Sequence, residues 1–461
     1  MRAEALLEPH TDLARADGPH VVTAGDGAWV VDEHGRRYLE GVAGLWCANL
    51  GFSAERLVDA AHRQLRRLPF YGSFDHRTHD VAVELAARLV AMGPAPMARA
   101  FFCNSGSEAV DSAVKIAWLV NGVRGRPERR KLIAHDRGYH GSTVAAASLT
   151  GLPRMHRGFG LPALPVVHVP TPDRYRNGLP GESEEEFGAR LAIEVERTIL
   201  EEGPETVAAF VSEPVLGAGG LVVPPRAYFD RLQEVLRRHD VLFVVDEVIT
   251  GFGRTGRMFG SETFGLRPDM LVLAKGLSSG YLPISALLVS DELAALLVEG
   301  SRTLGAFSHG FTYSGHPVAA AVALEALAVY EEIDVAARAR DAGSALRGRL
   351  APFRDHPLVG DVRGCGLLAG VELVRDKRSR EPFPVEHRVG ARVVARAQDR
   401  GLILRAMGDT VVFAPPLVIG RDEIEQAVEM FGHALDDVAK ELLAPEARRP
   451  ADPRPDLAVV R

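Results

Sequence analysis

Residues 270–280 read MLVLAKGLSSG, an apolar run that ends in a lysine and continues into small residues. Two chemistries compete for this stretch. Gly276-Leu277-Ser278-Ser279-Gly280 satisfies G-x-S-x-G, the strand–turn–helix signature that presents a nucleophilic serine. Lys275 offers an amine instead. Lysine and arginine total 54, and the only lysines are Lys115, Lys131, Lys275, Lys377 and Lys440. Under such an arginine bias a retained lysine is mildly informative. Arginine keeps its proton at working pH, whereas a partly buried lysine can lose it and act as nucleophile or base. Lys131 and Lys377 sit in charged stretches, and Lys440 and Lys115 fall on helices. Lys275 alone ends an apolar run. The serine motif needs a helix directly after its turn, but YLPISALLVS follows, a proline and then a strand-like run, so that reading lacks its context.

The other apolar runs end on comparable residues. FFC is followed by Asn104-Ser105-Gly106-Ser107, LIAH by Asp136 to His140, AAFVS by Glu213-Pro214, and LFVV by Asp246-Glu247. Open parallel sheets bind ligands outside the carboxyl ends of their strands, which makes Ser107, Tyr139, Glu213, Asp246 and Lys275 candidates to line one crevice. Singly, each is more readily explained as a solvated strand end; the five types together are harder to dismiss. LFVVDE resembles the carboxylate strand of a phosphate-loop NTPase, but no lysine here follows a glycine, so G-x-x-x-x-G-K-[ST] is absent. Gly251-Phe252-Gly253-Arg254-Thr255-Gly256 matches G-x-G-x-x-G, yet it does not open a clear helix, and a lone match is weak. A lysine that binds a pyridoxal cofactor explains more. Asp246, 29 residues upstream, can hold the pyridine nitrogen protonated so that the ring absorbs charge. Ser105-Gly106-Ser107 at a helix start supplies free backbone N–H groups for a phosphate. Tyr139 supplies an aromatic face.

These residues need elements to position them. The 461 residues are 46% hydrophobic and 25% charged with net charge −7, enough for a large core and without the basic footprint of a nucleic-acid or acidic-membrane binder. No apolar stretch is long enough to span a bilayer. The charged N-terminus argues against an export signal. Cys47, Cys103 and Cys365 are odd in number, far apart and without metal spacing, which suits buried thiols in a reducing cytosol and predicts a cytoplasmic protein with no metal. Residues 28–46 read as short strands around a His-Gly turn. An amphipathic helix is expected over Thr78–Met92, stopped by Gly93-Pro94, and another from Ser107 to about Val120. Ser183 and Glu186 form a capping box that opens a helix to about Glu202. RAFFC, KLIAH, TVAAFVS, VLFVV, MLVLA and ISALLVS read as strands. Apolar strands separated by helices indicate a mostly parallel sheet covered on both faces. A helix is expected near Ala319–Glu332, and the pattern changes to a smaller α+β unit from about residue 335.

FFCNSGSEAV, YHGST, SEPVLGAGG, VVDEVITGFGRTG, AKGLSSGY, HGFTYSGHPVAAA, VRGCGLLAGVEL and LILRAMGD occur in this order. The set resembles the class III, or omega-type, pyridoxal-phosphate aminotransferases from about Trp29 to Met430. The resemblance implies an α/β protein of pyridoxal-phosphate fold type I (aspartate-aminotransferase-like), with a large mostly parallel seven-stranded domain and a small α+β domain. The expected division is an N-terminal arm and part of the small domain over 1–60, the large domain over 61–332, the C-terminal small domain over 333–445, and a loose tail over 446–461. It implies a homodimer with shared sites, a tetramer being open. Lys275 would bond the cofactor and shuttle a proton, and Asp246 would meet the pyridine nitrogen. Val248 and Tyr139 would flank the ring, and Ser105, Gly106, Ser107 and His140 would join the cofactor site. Glu213 would support the cofactor's hydroxyl side, and Thr312 would reach the other subunit's phosphate. Trp46 and Phe74 resemble the aromatic lining of the substrate pocket, with ordinary core packing as their alternative. Arg405 resembles the arginine that receives a substrate carboxylate, with a surface ion pair as its alternative.

One departure bears on substrate. Ornithine- and GABA-type relatives carry a carboxylate shortly after the Glu-Pro pair, whereas Ala218 stands there in this chain. That favours the pyruvate-using subgroup acting on β-alanine, taurine, putrescine or aryl-alkyl amines. The implied reaction moves an amino group from such a donor to pyruvate or a similar 2-oxo acid by a ping-pong cycle. An aminomutase, a decarboxylase, an aminotransferase using 2-oxoglutarate, or a non-catalytic cofactor-binding protein share the same lysine and aspartate and stay open on sequence alone.

Overall fold

The computed structural model describes residues 5–14 and 18–443. The 446–461 tail lies outside the described residues. The N-terminal strands β1 (Val22–Asp26), β2 (Trp29–Asp32) and β3 (Arg37–Glu40) form an antiparallel meander whose β2–β3 turn holds His34-Gly35, with Gly35 at φ +78°.

The central sheet has seven strands: β4 (Met97–Cys103), β5 (Lys131–His135), β6 (Val166–Val169), β7 (Val207–Ser212), β8 (Leu242–Asp246), β9 (Met270–Leu273) and β10 (Ser285–Ser290). Their order is β4-β10-β9-β8-β7-β5-β6, all parallel except β10, which runs antiparallel to both neighbours. Strands β7, β8 and β9 are buried along their whole length. Alternate residues enter opposite cores. Leu132, Ala134, Ala209 and Val211 pack on one face, and Ile133 and Phe210 on the other. That is the two-residue period of a strand sandwiched between helical layers.

The helices begin where their caps dictate. Ser183 accepts from Glu186 N at 3.2 Å, and Glu186 accepts from Ser183 N at 2.8 Å, opening Glu184–Glu202. His79 accepts from Ala82 N to open Asp80–Met92. Ser105 accepts from Glu108 N at 3.2 Å to open Gly106–Val123. The expected late helix runs over Pro317–Glu332.

Beyond it, β11 (Val359–Cys365), β12 (Leu368–Leu373), β14 (Arg405–Met407) and β15 (Thr410–Phe413) make an antiparallel sheet in the order β11-β12-β15-β14, with helices Val335–Leu350, Val389–Asp399 and Arg421–Leu443. The two-residue strand β13 (Leu402–Ile403) pairs parallel with β3, Leu402 opposite Leu39, so both ends of the chain share one sheet. Buried Arg254, from the G-x-G-x-x-G stretch, locks these parts together. It donates to Asn49 Oδ1 at 2.7 Å and also to the carbonyl of Pro415. The motif is a structural turn, not a dinucleotide loop.

Candidate active site

Five strand ends converge as the sequence suggests. Asp246 closes β8, opposite Val272 of β9, and Lys275 follows three residues later on the neighbouring strand. Lys275 takes φ +45°, an uncommon conformation for a residue with a Cβ. The chain then makes a short turn, Lys275–Ser278, and enters β10. The Ser278 hydroxyl is buried and donates to the Leu282 carbonyl at 2.5 Å. With its hydroxyl committed and no helix behind it, the serine alternative falls.

A cavity of about 510 Å³ opens above these ends, lined among others by Trp46, Ser105, Gly106, Ser107, Tyr139, His140, Glu213, Asp246, Val248, Lys275 and Arg405. The Lys275 amine lies 5.7 Å from the centre of the Trp46 ring. Burial lowers its pKa and Arg405 adds to the effect, while Cys47, Asp246 and Glu213 oppose it. The net result favours the neutral amine that a base requires.

Asp246 Oδ2 meets His140 Nδ1 at 2.9 Å, and Oδ1 accepts from Val248 N at 3.0 Å. Both side chains are buried, and His140 Nε2 has no partner among the described residues. A carboxylate oxygen accepts, so Nδ1 is the donor in this contact. Glu213 Oε1 accepts from Tyr139 N at 2.9 Å and Oε2 from Gly217 N at 3.0 Å. Burial pushes its pKa up to about 7; His140 opposes this, Asp246 reinforces it, and the two amide donors oppose it.

The packing at the helix start fits pyridoxal phosphate. A Cβ on Gly106 would stand 2.9 Å from Val248 Cγ2, and one on Gly141 2.3 Å from Ser107 Oγ. Only glycines leave the first amides of Gly106–Val123 open at this close approach. Ser107 Oγ accepts from Ser142 N at 3.0 Å, and Tyr139 shares a 3.2 Å hydroxyl contact with Ser142. Ser105 contributes through its position, since its side chain is spent on the helix cap.

Trp46 sits at φ +57° in a kinked segment with Ala43 and Gly44, and it is buried. The Arg405 guanidinium stacks 5.5 Å from its ring centre, lines the cavity and makes no ion pair with any described residue. Burial lowers the Arg405 pKa; Arg154 adds to this and Tyr139 opposes it. Phe74 and Thr312 stand apart from the cavity. Phe74 is 49% exposed, and a Cβ on Gly310 would lie 3.0 Å from its Cζ, so Phe74 and the loop carrying Thr312 are neighbours on the surface. Residues that sequence reasoning missed also line the cavity, notably Arg154, Met155 and Met407. An arginine after a proline in an irregular segment gives no sequence signal of a site.

A sheet of this order, with lysine and aspartate on neighbouring strand ends, is that of the fold type I pyridoxal-phosphate enzymes. The aminotransferase class-III family model matches residues 13–435. The chain is 48% identical over 437 residues to gamma-aminobutyrate transaminase 1, mitochondrial, of Oryza sativa subsp. japonica, across 94% of this chain and 85% of that one. It is 46% identical over 437 residues to the vanillin aminotransferase of Capsicum annuum, across 94% and 95%. The solved omega transaminase from Pseudomonas jessenii in complex with PMP matches with TM-score 0.94 and 50% identity, across 96% and 98%. The chain belongs to the class-III aminotransferases and is a pyridoxal-phosphate-dependent transaminase.

The relatives also correct one expectation. The cytoplasmic location read from the cysteines is overturned by plant relatives named mitochondrial and, in one case, chloroplastic. Free thiols such as Cys47, Cys103 and Cys365 report a reducing surrounding, which the cytosol does not monopolise.

Proposed function

We propose that the enzyme moves an amino group from a primary amine or ω-amino acid to pyruvate or a similar 2-oxo acid in two half-reactions. The reading rests on one observation: Lys275 and Asp246 face one cavity from adjacent strand ends. When bound, pyridoxal phosphate supplies the aldehyde that carries the amino group between half-reactions and the ring that absorbs charge. Lys275 Nζ takes the proton from the amine-bearing carbon of the donor and returns one to the corresponding carbon of the acceptor. Asp246, aligned by the His140 Nδ1–H, keeps a proton on the ring nitrogen. Gly106 and Ser107 would hold the phosphate with the open helix N-terminus, Val248 and Tyr139 would flank the ring, and Glu213 would support its hydroxyl edge. Trp46 bounds the donor's side group, and Arg405 takes the oxo acid's carboxylate with its planar fork. A guanidinium with no ion-pair partner among the described residues is free to swing aside for a donor without a carboxylate. Ala218, on the same cavity, provides no carboxylate to hold it.

The relatives' names, which include GABA transaminases, vanillin aminotransferases and omega transaminases, support donors whose amine is terminal. A donor panel run against pyruvate and 2-oxoglutarate, read as alanine or glutamate appearance, tests the reading. Absence of transfer from every terminal amine to either acceptor would end it.

The working unit is proposed to be a homodimer. Phe74 and Thr312 would complete the other subunit's site, and exposed Phe70, Tyr71, Phe74 and Tyr313 would be covered at the contact. Sedimentation of active, cofactor-loaded enzyme as a monomer would contradict this.

A further inference from the structure

Arg405 shares its cavity with a second cation. Arg154, from the single turn Pro153–Met155, lines the same space. The two arrive from different parts of the fold: Arg154 follows the helix Val144–Leu149 beside the central sheet, and Arg405 opens the edge strand β14. Neither guanidinium has a hydrogen bond or ion pair among the described residues. Other arginines of the same region are tied down, Arg137 to Asp173 and both Arg176 and Arg363 to Glu372. The cavity's own carboxylates are engaged elsewhere, Asp246 with His140 and Val248 N, Glu213 with the amides of Tyr139 and Gly217. The two arginines therefore face one space with no ion-pair partner among the described residues, and the Arg154 charge adds to burial in disfavouring the protonated Arg405.

Like charges held together without an internal partner are matched by a ligand that carries the opposite charges. A monocarboxylate satisfies one guanidinium and leaves the other unpaired. A ligand with a carboxylate at each end satisfies both and relieves their repulsion, and about 510 Å³ is ample for such a molecule. We propose that Arg154 is a substrate-binding residue that takes the distal carboxylate of a dicarboxylic 2-oxo acid while Arg405 takes the carboxylate beside the carbonyl. The acceptor range then extends beyond pyruvate, and Arg154 sets the preference. The inference rests on the acceptor half-reaction proposed above for Arg405.

The test uses the holoenzyme and two non-reacting probes, glutarate and butyrate, titrated calorimetrically into wild type, Arg154→Gln and Arg154→Lys. Wild type is expected to bind glutarate more tightly than butyrate. Arg154→Gln should weaken glutarate by about tenfold or more, the size of one lost charge-assisted contact, and leave butyrate nearly unchanged. Arg154→Lys should recover part of the loss. In turnover, kcat/KM for 2-oxoglutarate should fall through KM, while that for pyruvate holds. Equal weakening of both probes, unchanged glutarate binding, or no wild-type preference would overturn the proposal. Arg154 is exposed and without partners among the described residues, so neither substitution removes a described folding contact, and an unchanged melting temperature verifies it. If no 2-oxo acid accepts an amino group at all, the proposed function fails, yet the calorimetric comparison still decides on Arg154.

Discussion

Replacing Arg405 with alanine should separate the two half-reactions. In the acceptor half it removes a two-pronged, charge-assisted contact to the oxo acid's carboxylate. Such a contact in a partly shielded site is worth roughly 1.5–3 kcal/mol. At about 1.4 kcal/mol per decade, kcat/KM for pyruvate should fall about 10- to 100-fold. In the donor half, with an aryl-alkyl amine that lacks a carboxylate, two smaller effects remain. The stacking on Trp46, 5.5 Å from Cζ to ring centre, is given up when Arg405 swings aside for such a donor, and an alanine there has nothing to give up, so its absence does not slow this half. The push of Arg405 on Lys275 is the weakest of the named influences on that amine. A screened charge of this kind is worth on the order of 0.5 kcal/mol, or about twofold in rate. Its removal raises the proton affinity of Lys275, so the donor half should slow only slightly. Stopped-flow absorbance of the cofactor, with each half-reaction run alone, measures both numbers. Equal slowing of the two halves, or none in either, would refute the reasoning and send the carboxylate to another residue.

Lys275→Ala should abolish turnover and the visible absorbance of the bound cofactor, whereas Ser278→Ala should retain both; an active Lys275→Ala enzyme would remove the base assigned here. A stability prediction concerns Glu40, buried at the end of β3, whose carboxylate accepts from Val42 N at 3.0 Å. Burial pushes its pKa from 4.5 up to about 7, against the pull of the Val42 and Gly44 amides. An acid with a raised folded pKa binds more protons folded than unfolded between those values, so its contribution is full below about 4.5 and is lost as pH rises toward 7. Glu40→Gln keeps the acceptor and removes the titration. The loss of urea midpoint between pH 5 and pH 8 should shrink in that variant, by up to about 2–3 kcal/mol of stability. An unchanged pH profile would show that Glu40 does not titrate in this window.

The fold was readable where one physical signal dominates. Runs such as VAAFVS, LFVVD and MLVL are apolar without alternation because both faces of β7, β8 and β9 are buried, and that fact alone requires helices on either side. The Ser183–Glu186 box marked its helix because the two reciprocal hydrogen bonds are purely local. Strand β6 gave no such signal. It has four residues, includes His168, lies between Pro165 and Pro170, and sits at the sheet edge with three of its four residues only partly covered. What places it is pairing with β5, Leu132 opposite Val166, a contact between segments that no window of sequence contains.

The site divides along the same line. Lys275, Asp246, Glu213 and the Gly106–Ser107 turn were legible because each ends a strand or opens a helix, and parallel topology sends every such end to one edge of the sheet. The Asp246–His140 hydrogen bond was not, although both residues had been singled out, because their sequence positions say nothing of a 2.9 Å approach. Arg405 and Trp46 were recognised only through motif resemblance. Trp46 rides on a kinked segment with positive φ, and Arg405 on an edge strand, and their stacking depends on how the two chain ends pack together. Phe74 and Thr312 carry this furthest. One chain leaves both on its surface, and the homodimer proposed above is what would give them a part in binding. The groups proposed as catalytic follow from topology and can be argued from one sequence. The groups proposed to choose a substrate come from segments whose meeting is fixed by tertiary packing, and Arg154, in one cavity with Arg405, is the case in which that difference makes a measurable claim.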